Sequence, residues 1–454
     1  MDQRQRILSQ LVEARLEKGI SQAELARRIG TQPSNISRLE NGAQNPSLDM
    51  ILRIANALGK DVSLNLTDHV PAGPEIYSLR LYDTELARFS LEKRSLEGLV
   101  AEPVWINEEK APLLPLELER SGAGILKWLE RRVIPKNRTF VDEILKTLGL
   151  SHNDTKGIID VCKGLSLNDS YWVVPEGFSG SFADYNLYEN RFSEILALVA
   201  YTGAGQSHEA FTTSPELTTG GMLPKAWRLI DGEGIVLYKG GTSGASNTGR
   251  EPFCEFYASQ IAKTMKLDAV HYGLENWKGM TASTCALFTN IDTAYVPIGR
   301  LVTSGGIAAC LRYYDALWPE FGESLRSMLV FDALIYNEDR HFGNFGLLRD
   351  NHSGQIVAPA PIFDNGLSLF CYAGDDGYAD LASYAATRST PYGISYEEVC
   401  AAVMGRRQKE QLRRMIGFTF TRHPSLNLPE AHLQAIEEHL QHRVRHLLAI
   451  PNHA

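Results

Sequence analysis

The sequence predicts a multidomain protein in which a small all-α head precedes a larger α+β body. The length of 454 residues is enough for two to four domains of ordinary size. Hydrophobic residues make up 44% of the chain and charged residues 22%, so each domain can bury a core. The charge is uneven, because residues 1–66 carry a net +2 and the rest carries −11 of the total −9. This distribution argues against a body that coats nucleic acid and leaves the head free to bind it.

The head, residues 1–66, is predicted from helix start and stop signals. Ser21 and Glu24 are spaced as in a capping box, and Gly30 suits the left-handed end of the same helix. Pro33 fits the first turn of the next helix, and Ser47 is a polar cap for a further one. Two short helices joined by a tight glycine-containing turn are typical of the helix-turn-helix motif.

The head resembles the Cro/C1-type repressor domain over roughly residues 5–66. The matching residues are Ser21, Gln22, Leu25, Ala26, Gly30, Ile36, Ser37 and Leu39–Gly42. The resemblance implies that the helix Gln32–Leu39 lies in the major groove of operator DNA. Base contacts are then expected from Gln32, Ser34, Asn35 and Arg38, and phosphate contacts from Gln22 and Asn41. The alternative is a helix-turn-helix that contacts only proteins.

We expect a homodimer, because a single such domain buries little DNA surface. The segment Val62–Leu66 alternates apolar and polar residues like an edge strand, and we hypothesise that it pairs across a two-fold axis. Residues 67–75 contain two prolines and one glycine, which predicts a linker. The following region, residues 76–200, begins with strand-like alternation and turns helical over 123–150, with no chemical motif of its own.

The residues that carry chemistry lie between positions 205 and 370. Asp339 precedes Asn344 by five residues, and Asp364 follows twenty residues later. Phosphoryl transfer needs a base for the hydroxyl proton and hard oxygen ligands for magnesium, and these three side chains match that need. Lys239 ends a predicted strand, as a lysine that holds nucleotide phosphates does, and Glu255 can pair with it. Each aspartate alone is equally compatible with a turn cap.

A glycine-rich segment precedes the strand that ends in Lys239. It runs from Thr218 to Lys225, and Gly220 and Gly221 can form a lid over phosphate. Lys225 is equally compatible with a phosphate contact and with a solvated charge. The Gly/Ser-rich stretch Gly240–Gly249 reads as a loop rather than as a second phosphate cradle.

Together these motifs resemble the HipA family of bacterial serine/threonine kinases, over roughly residues 76–450. The resemblance implies a two-lobed, protein-kinase-like body with an N-lobe at 201–295 and a C-lobe at 296–454. It implies ATP at Lys239, a hinge near Phe288 to Asn290, Asp339 as base, and Mg²⁺ on Asn344 and Asp364. In the family an autophosphorylated serine lies in the glycine-rich loop, and the matching residue here is Thr218, with Thr219 as its neighbour.

The resemblance also concerns partners. HipA kinases typically work with a separate Cro-like antitoxin that represses their operon, whereas this chain carries both parts. We therefore expect a toxin–antitoxin-type regulator that acts on an unknown protein substrate. The chain lacks G-x-G-x-x-G and H-R-D, and its magnesium motif reads F-D-N-G. The alternatives are a transcription regulator whose kinase fold only senses nucleotide, and a small-molecule kinase of the aminoglycoside-phosphotransferase kind.

Composition also predicts the compartment. The six cysteines are scattered without a C-x-x-C pair, which fits a reducing environment and argues against a metal cluster. The first residues lack an apolar signal core, and no apolar run reaches the roughly 18 residues that span a bilayer. We expect a cytoplasmic protein with no membrane contact.

Overall fold

The computed structural model divides the chain into two compact units, Met1–Ala72 and Gly73–Ala454. Asn41, most of the predicted linker and the predicted dimer strand beyond Val62 lie outside the described residues. The predicted domain boundaries at 66, 75, 200 and 295 stay predictions. The structure describes residues 3–40, 46–62, 74–94, 97–204, 214–243 and 249–452.

The described part of the head contains four helices and no strand. Ser21 and Ser47 cap their helices as predicted, since their hydroxyls accept from the backbone amides of Glu24 and Met50 at 3.1 and 3.2 Å. Gly30 is left-handed, with φ of +66°. The helices are α1 (Gln3–Glu17), α2 (Gln22–Arg28), α3 (Pro33–Glu40) and α4 (Leu48–Ala57).

The core of the head joins the four helices through aliphatic side chains. Ile36 and Leu39 of α3 pack with Leu25, Ile54 and Leu58, and all five are buried. Of the two hydrogen bonds of the predicted capping box at the start of α2, the one accepted by the Ser21 hydroxyl is present. The Glu24 carboxylate instead pairs with Arg27 and Arg28, because these cations lie three and four residues further along the same helix.

The body contains three antiparallel sheets in its described residues. The strands are β1 (Glu75–Leu81), β2 (Thr84–Arg94), β3 (Gly98–Ile106), β4 (Tyr171–Pro175), β5 (Lys225–Ile230), β6 (Gly234–Gly240), β7 (Gly273–Trp277), β8 (Met280–Ala286), β9 (Thr293–Pro297), β10 (Gly346–Asp350) and β11 (Ile356–Pro359). The first sheet has the order β3-β2-β1-β4, the second β5-β6-β8-β7, and the third β11-β10-β9. The strand β1 begins at Glu75, the last residue of the predicted linker.

Helices cover these sheets and form the remainder of the body. Five pack around the first sheet: α5 (Gly122–Glu130), α6 (Val141–Lys146), α7 (Thr155–Cys162), α8 (Phe182–Tyr185) and α9 (Glu194–Thr202). One long helix, α10 (Glu251–Met265), follows β6. The C-terminal helices are α11 (Ile298–Leu301), α12 (Gly306–Leu317), α13 (Pro319–Ile335), α14 (Asp375–Ala379), α15 (Leu381–Ala385), α16 (Tyr396–Val403), α17 (Arg406–Arg413) and α18 (Glu430–Ala449).

The largest core belongs to the C-terminal helices and includes α10. Tyr257 and Ile261 of α10 are buried in one cluster with Phe331 of α13 and Leu440 of α18. Since α10 also packs on β6 and β8, it is held from both sides. This packing fixes the position of α10 along β6, and with it the position of each α10 side chain relative to that strand. Within the described ranges, no helix is long and apolar enough to cross a membrane.

Candidate active site

The candidate site is centred on Lys239, near the end of β6. Its ammonium donates to Glu255 Oε1 at 2.8 Å and also contacts Asp364 Oδ1. Glu255 lies in the second turn of α10, which begins at Glu251. The predicted pair of Lys239 and Glu255 is present, and the structure adds Asp364 as a second anionic partner.

Asp364 is positioned by its backbone as well as by Lys239. Its φ is +56°, in the left-handed region that costs a non-glycine residue about 1–3 kcal/mol. Its amide donates to the hydroxyl of Tyr272 at 3.1 Å, and the next amide, of Asn365, donates to Glu255 Oε2 at 2.7 Å. The Glu255 carboxylate therefore binds the lysine with one oxygen and the segment that follows Asp364 with the other.

The loop from Asn337 to Asn344 presents the predicted base. The Asp339 amide donates to Asn337 Oδ1 at 3.0 Å, and the Asn344 side-chain amide donates to the Asp339 carbonyl at 3.0 Å. His341 accepts from the Gly343 amide through Nδ1 at 3.0 Å and so stabilises the loop. The Asp339 carboxylate is left half-exposed, and none of these hydrogen bonds engages it.

Arg340 joins this loop to the Asp364 segment, and sequence analysis gave it no role. Its guanidinium is fully buried and donates to both oxygens of Asp332 on α13 at 3.0 Å. It also donates to the carbonyls of Asn344 and Phe363 and to Asn365 Oδ1. No local signal marks Arg340 as an organiser, because its partners are brought to it only by folding.

The charges around the site shift its pKa values in opposite directions. Burial raises the pKa of Asp339, and the nearby Asp364 carboxylate raises it further. For Asp364, burial favours the neutral acid, but Lys239 and Lys225 outweigh it and hold the pKa below its ordinary range. Asp364 thus stays anionic, as a metal ligand must be. Asp339 has the raised basicity that suits a general base.

The glycine-rich loop Thr218–Lys225 lies between a 3-10 turn at Pro215–Leu217 and β5. Lys225 Nζ donates to the Gly220 carbonyl at 2.9 Å. Gly221 has φ of +82°, a backbone conformation that favours glycine, and a Cβ there would also displace the flexible end of the Lys225 side chain. Thr218 is buried with 9% exposure, whereas Thr219 is half-buried.

The two predicted hinge residues have different surroundings. Phe288 packs against Tyr295 and Phe363, with ring centroids 5.5 and 5.2 Å apart. Asn290 Oδ1 accepts from the amides of Asp292 and Thr293, both at 2.9 Å. Asn290 therefore serves a turn, and its side-chain oxygen is already engaged there.

The oxygen donors of the site fit magnesium better than a preformed metal cage. In the described parts of the chain, no three His, Cys, Asp or Glu side chains are grouped so as to hold a metal. Asn344 and Asp364 offer one amide oxygen and one carboxylate. Mg²⁺ keeps several waters and is usually bound by one or two protein ligands together with phosphate oxygens. This pair of donors fits that requirement.

The candidate DNA-reading face lies on α3. Gln32, Ser34 and Arg38 are exposed, and the half-buried Asn35 donates to Thr31 Oγ1 at 3.0 Å. Gln22 donates instead to Glu40 Oε2 at 2.8 Å. The Glu40 carboxylate also accepts hydrogen bonds from Arg15 Nε and Nη2, at 2.6 and 2.7 Å. Gln22 is therefore bound to the ion pair that joins α1 to α3.

Comparison with known proteins identifies the head. The profile of the helix-turn-helix family matches residues 11–65. An uncharacterized HTH-type transcriptional regulator of Methanothermobacter thermautotrophicus is 47% identical over 49 residues, which are 11% of this chain and 71% of that protein. The chain belongs to the helix-turn-helix family. The HTH-type transcriptional regulator y4dJ of Sinorhizobium fredii is 37% identical over 75 residues, 16% of this chain and 97% of its own length.

One solved structure identifies the fold of the body. A chain of the Shewanella oneidensis MR-1 toxin–antitoxin complex of HipA, HipB and operator DNA matches with a TM-score of 0.51 and 14% identity, over 83% of this chain and all of that chain. Since the head is about a sixth of the sequence, most of this match lies in the body, which has a HipA-like fold. The Helicobacter pylori proinflammatory kinase CtkA matches with a TM-score of 0.41 and 20% identity, over 49% of this chain and 92% of its own.

Proposed function

We propose that this helix-turn-helix protein is an ATP- and magnesium-dependent serine/threonine protein kinase of the HipA type, joined to its own operator-binding domain. The observation that carries the proposal is the bridge from Lys239 to both Glu255 and Asp364. In protein kinases a strand lysine that binds nucleotide phosphates pairs with a helix glutamate and lies near the aspartate that holds magnesium, and this bridge has the same arrangement. Neither partner is a neighbour in sequence, so local structure does not account for the bridge.

The chemistry follows from the separate tasks of four side chains. Lys239 would bind the α- and β-phosphates, and Asn344 and Asp364 would hold magnesium, which neutralises charge on the phosphates. Asp339 would accept the proton of the substrate hydroxyl while the hydroxyl oxygen bonds to the γ-phosphorus. The bond from the γ-phosphorus to the β–γ bridging oxygen breaks, and ADP leaves with that oxygen. The raised pKa of Asp339 makes its carboxylate a stronger proton acceptor than an ordinary aspartate.

The regulatory part of the proposal concerns the chain itself and DNA. The hydroxyls of Thr218 and Thr219 lie in the glycine-rich loop, where autophosphorylation would alter the cover of the nucleotide site. The exposed side chains of α3 would read an operator, so that one chain combines the repressor and the kinase of a toxin–antitoxin pair.

The second candidate is a regulator whose body binds nucleotide and transfers nothing. The engaged side chain of Asn290 and the single cation of the glycine-rich loop, Lys225, are compatible with sensing alone. The deciding difference is Asp339, because a sensor needs no base. We therefore compare wild type with Asp339→Asn, using γ-labelled ATP with magnesium for transfer and a non-hydrolysable ATP analogue for binding.

A kinase incorporates label, and Asp339→Asn retains binding while losing transfer by about 10²–10⁴-fold. Asp350→Asn is the matched control, since the Asp350 carboxylate accepts from Ser353 in a turn after β10 and has no contact with the site. If wild type binds the analogue tightly but neither protein takes up label, the sensor replaces the kinase.

A further inference from the structure

The glycine-rich loop is held by a side chain from a distant part of the body. Arg138 lies between α5 and α6, and its side chain is completely buried. Its Nη1 donates to the carbonyls of Glu216 and Thr219 at 2.9 and 3.2 Å, and its Nη2 donates to the carbonyl of Lys225 at 2.9 Å. One guanidinium thus ties down both ends of the loop.

A second contact strengthens the same attachment. The amide of Thr139 donates to the Met222 carbonyl at 2.8 Å, in the middle of the loop. The next residue, Phe140, has φ of +62°, a left-handed conformation that persists in a non-glycine residue only where its surroundings enforce it. Arg138 and Thr139 therefore donate hydrogen bonds to the loop near its start, at its middle and at its end.

The charge of Arg138 is balanced inside the same attachment. Glu216 is fully buried and pairs with Arg138 through Oε2, while its Oε1 accepts from the Trp227 amide of β5 at 2.8 Å. The loop is therefore fixed to β5 through Glu216 and to the first region of the body through Arg138. Only a planar guanidinium offers the fork of donors needed to reach three carbonyls and one carboxylate together.

We propose that Arg138 is a positioning residue that holds the Thr218–Lys225 loop in place over the nucleotide site. The loop itself is open to solvent at its tip, where Gly220, Gly221 and Met222 are exposed, so its order depends on these buried attachments. The role of the loop in covering nucleotide rests on the proposed function. The attachment of the loop by Arg138 does not rest on it.

The test uses the full-length chain carrying Arg138→Lys, which keeps the charge and loses the fork. Hydrogen–deuterium exchange of residues 218–225 measures the order of the loop, and the Kd of a non-hydrolysable ATP analogue measures its effect on binding. We expect loop exchange to accelerate about tenfold or more and the Kd to rise by a similar factor, the scale of one lost charge-assisted hydrogen bond.

Arg132→Lys is the matched control. Arg132 is equally buried and forms a two-armed pair with Asp169 at 2.7 and 2.8 Å, but its backbone contacts are to Gly164 and Tyr171 rather than to the loop. We expect this variant to leave loop exchange unchanged. Equal acceleration in both variants would reduce Arg138 to a general structural residue and overturn the proposal.

A second variant guards against misfolding. The double change Arg138→Met with Glu216→Met removes both buried charges together, which avoids leaving one of them without a partner. It should fold and still show fast loop exchange; wild-type exchange in this variant would overturn the proposal. If wild type binds no nucleotide, the proposed function fails, while the exchange comparison still decides the role of Arg138.

Discussion

Lys225 and Lys239 face each other directly across the antiparallel pair of β5 and β6. Side chains at opposed positions in such a pair lie about 4.5–5.5 Å apart, and like charges there repel. Lys239 keeps its proton because Glu255 and Asp364 surround it. For Lys225, burial and then the charge of Lys239 outweigh the attraction of Asp364 and Glu216 and lower its pKa to about 7. The two lysines of the site therefore differ in charge state near neutral pH.

The low pKa of Lys225 predicts pH-dependent nucleotide binding. Lys225 is protonated below its pKa and neutral above it, so a contact between its ammonium and phosphate is present at low pH and lost as pH rises. Between about pH 6 and pH 9 we expect the Kd of a non-hydrolysable ATP analogue to rise roughly tenfold, the effect of losing a hydrogen bond from a charged donor. Calorimetric titration at each pH measures it.

Lys225→Arg is the matched control, because arginine stays charged over this whole range. Titration of the nucleotide affects both proteins equally and cancels in the comparison. Equal pH profiles for the two proteins would show that Lys225 makes no charge-dependent contact with phosphate.

The buried Arg340–Asp332 pair predicts a large stability effect. Arg340→Gln leaves the fully buried Asp332 carboxylate without its cation, which should lower the free energy of unfolding by about 3–5 kcal/mol. Arg388→Gln breaks the ion pair between Arg388 and Glu338, whose side chains are 27% and 34% exposed respectively. Because solvent screens this pair, its loss should lower the free energy of unfolding by about 1 kcal/mol or less. Urea unfolding of the full chain measures both; similar losses would contradict the reading of Arg340 as the organiser of the loop.

The two threonines of the loop differ in access, and this predicts the order of modification. Thr218 is 9% exposed, whereas Thr219 is half-buried, and both hydroxyls donate to the Pro215 carbonyl. The family resemblance points to Thr218, but accessibility favours Thr219 as the first site of autophosphorylation. Thr219→Val should remove most of the incorporated phosphate, and the isosteric Thr218→Val should retain it. Phosphopeptide mass spectrometry measures both, and the reverse result would require the loop to open before transfer.

The exposed position of Arg38 on α3 predicts base-specific DNA binding. Arg38→Ala should cost about 1–3 kcal/mol on the cognate operator and relax the base preference at one position. Gln22→Ala is a useful contrast, because the contact expected of Gln22 is to phosphate and its side chain is held in place by Glu40. Its loss should therefore weaken binding to all DNA sequences alike. Gel-shift titrations with cognate and scrambled DNA separate the two effects. A uniform loss for Arg38→Ala would assign it to phosphate contact.

The local features of the head are those that sequence analysis predicts best. Ser21, Gly30, Pro33 and Ser47 act within one helical turn, so their positions in the chain suffice to place the helix ends. The partial failure of the capping box at Glu24 has a local cause as well, since two arginines of the same helix compete for its carboxylate.

The candidate site was predictable only where residue type and spacing carry the chemistry. Lys239, Asp339, Asn344 and Asp364 follow from an ordered motif, and the Lys239–Glu255 contact agrees with the expectation. The roles of Arg138 and Arg340 could not be predicted, because the carbonyls that surround each guanidinium are brought to it only by folding. Asn290 belongs to the same class, since only the fold shows that its side chain serves a turn.

The sequence by itself determined the helical head, the position of its turn, and the set of side chains that we propose for phosphoryl transfer. The tertiary structure decided which of these side chains meet and how strongly each is charged. Arg138 reaches Glu216 across 78 residues, and Lys239 reaches Asp364 across 125. The physical reason is that burial and Coulomb interactions depend on distances in space. The pKa values of Lys225 and Asp339 therefore depart from their ordinary values only once folding has set those distances.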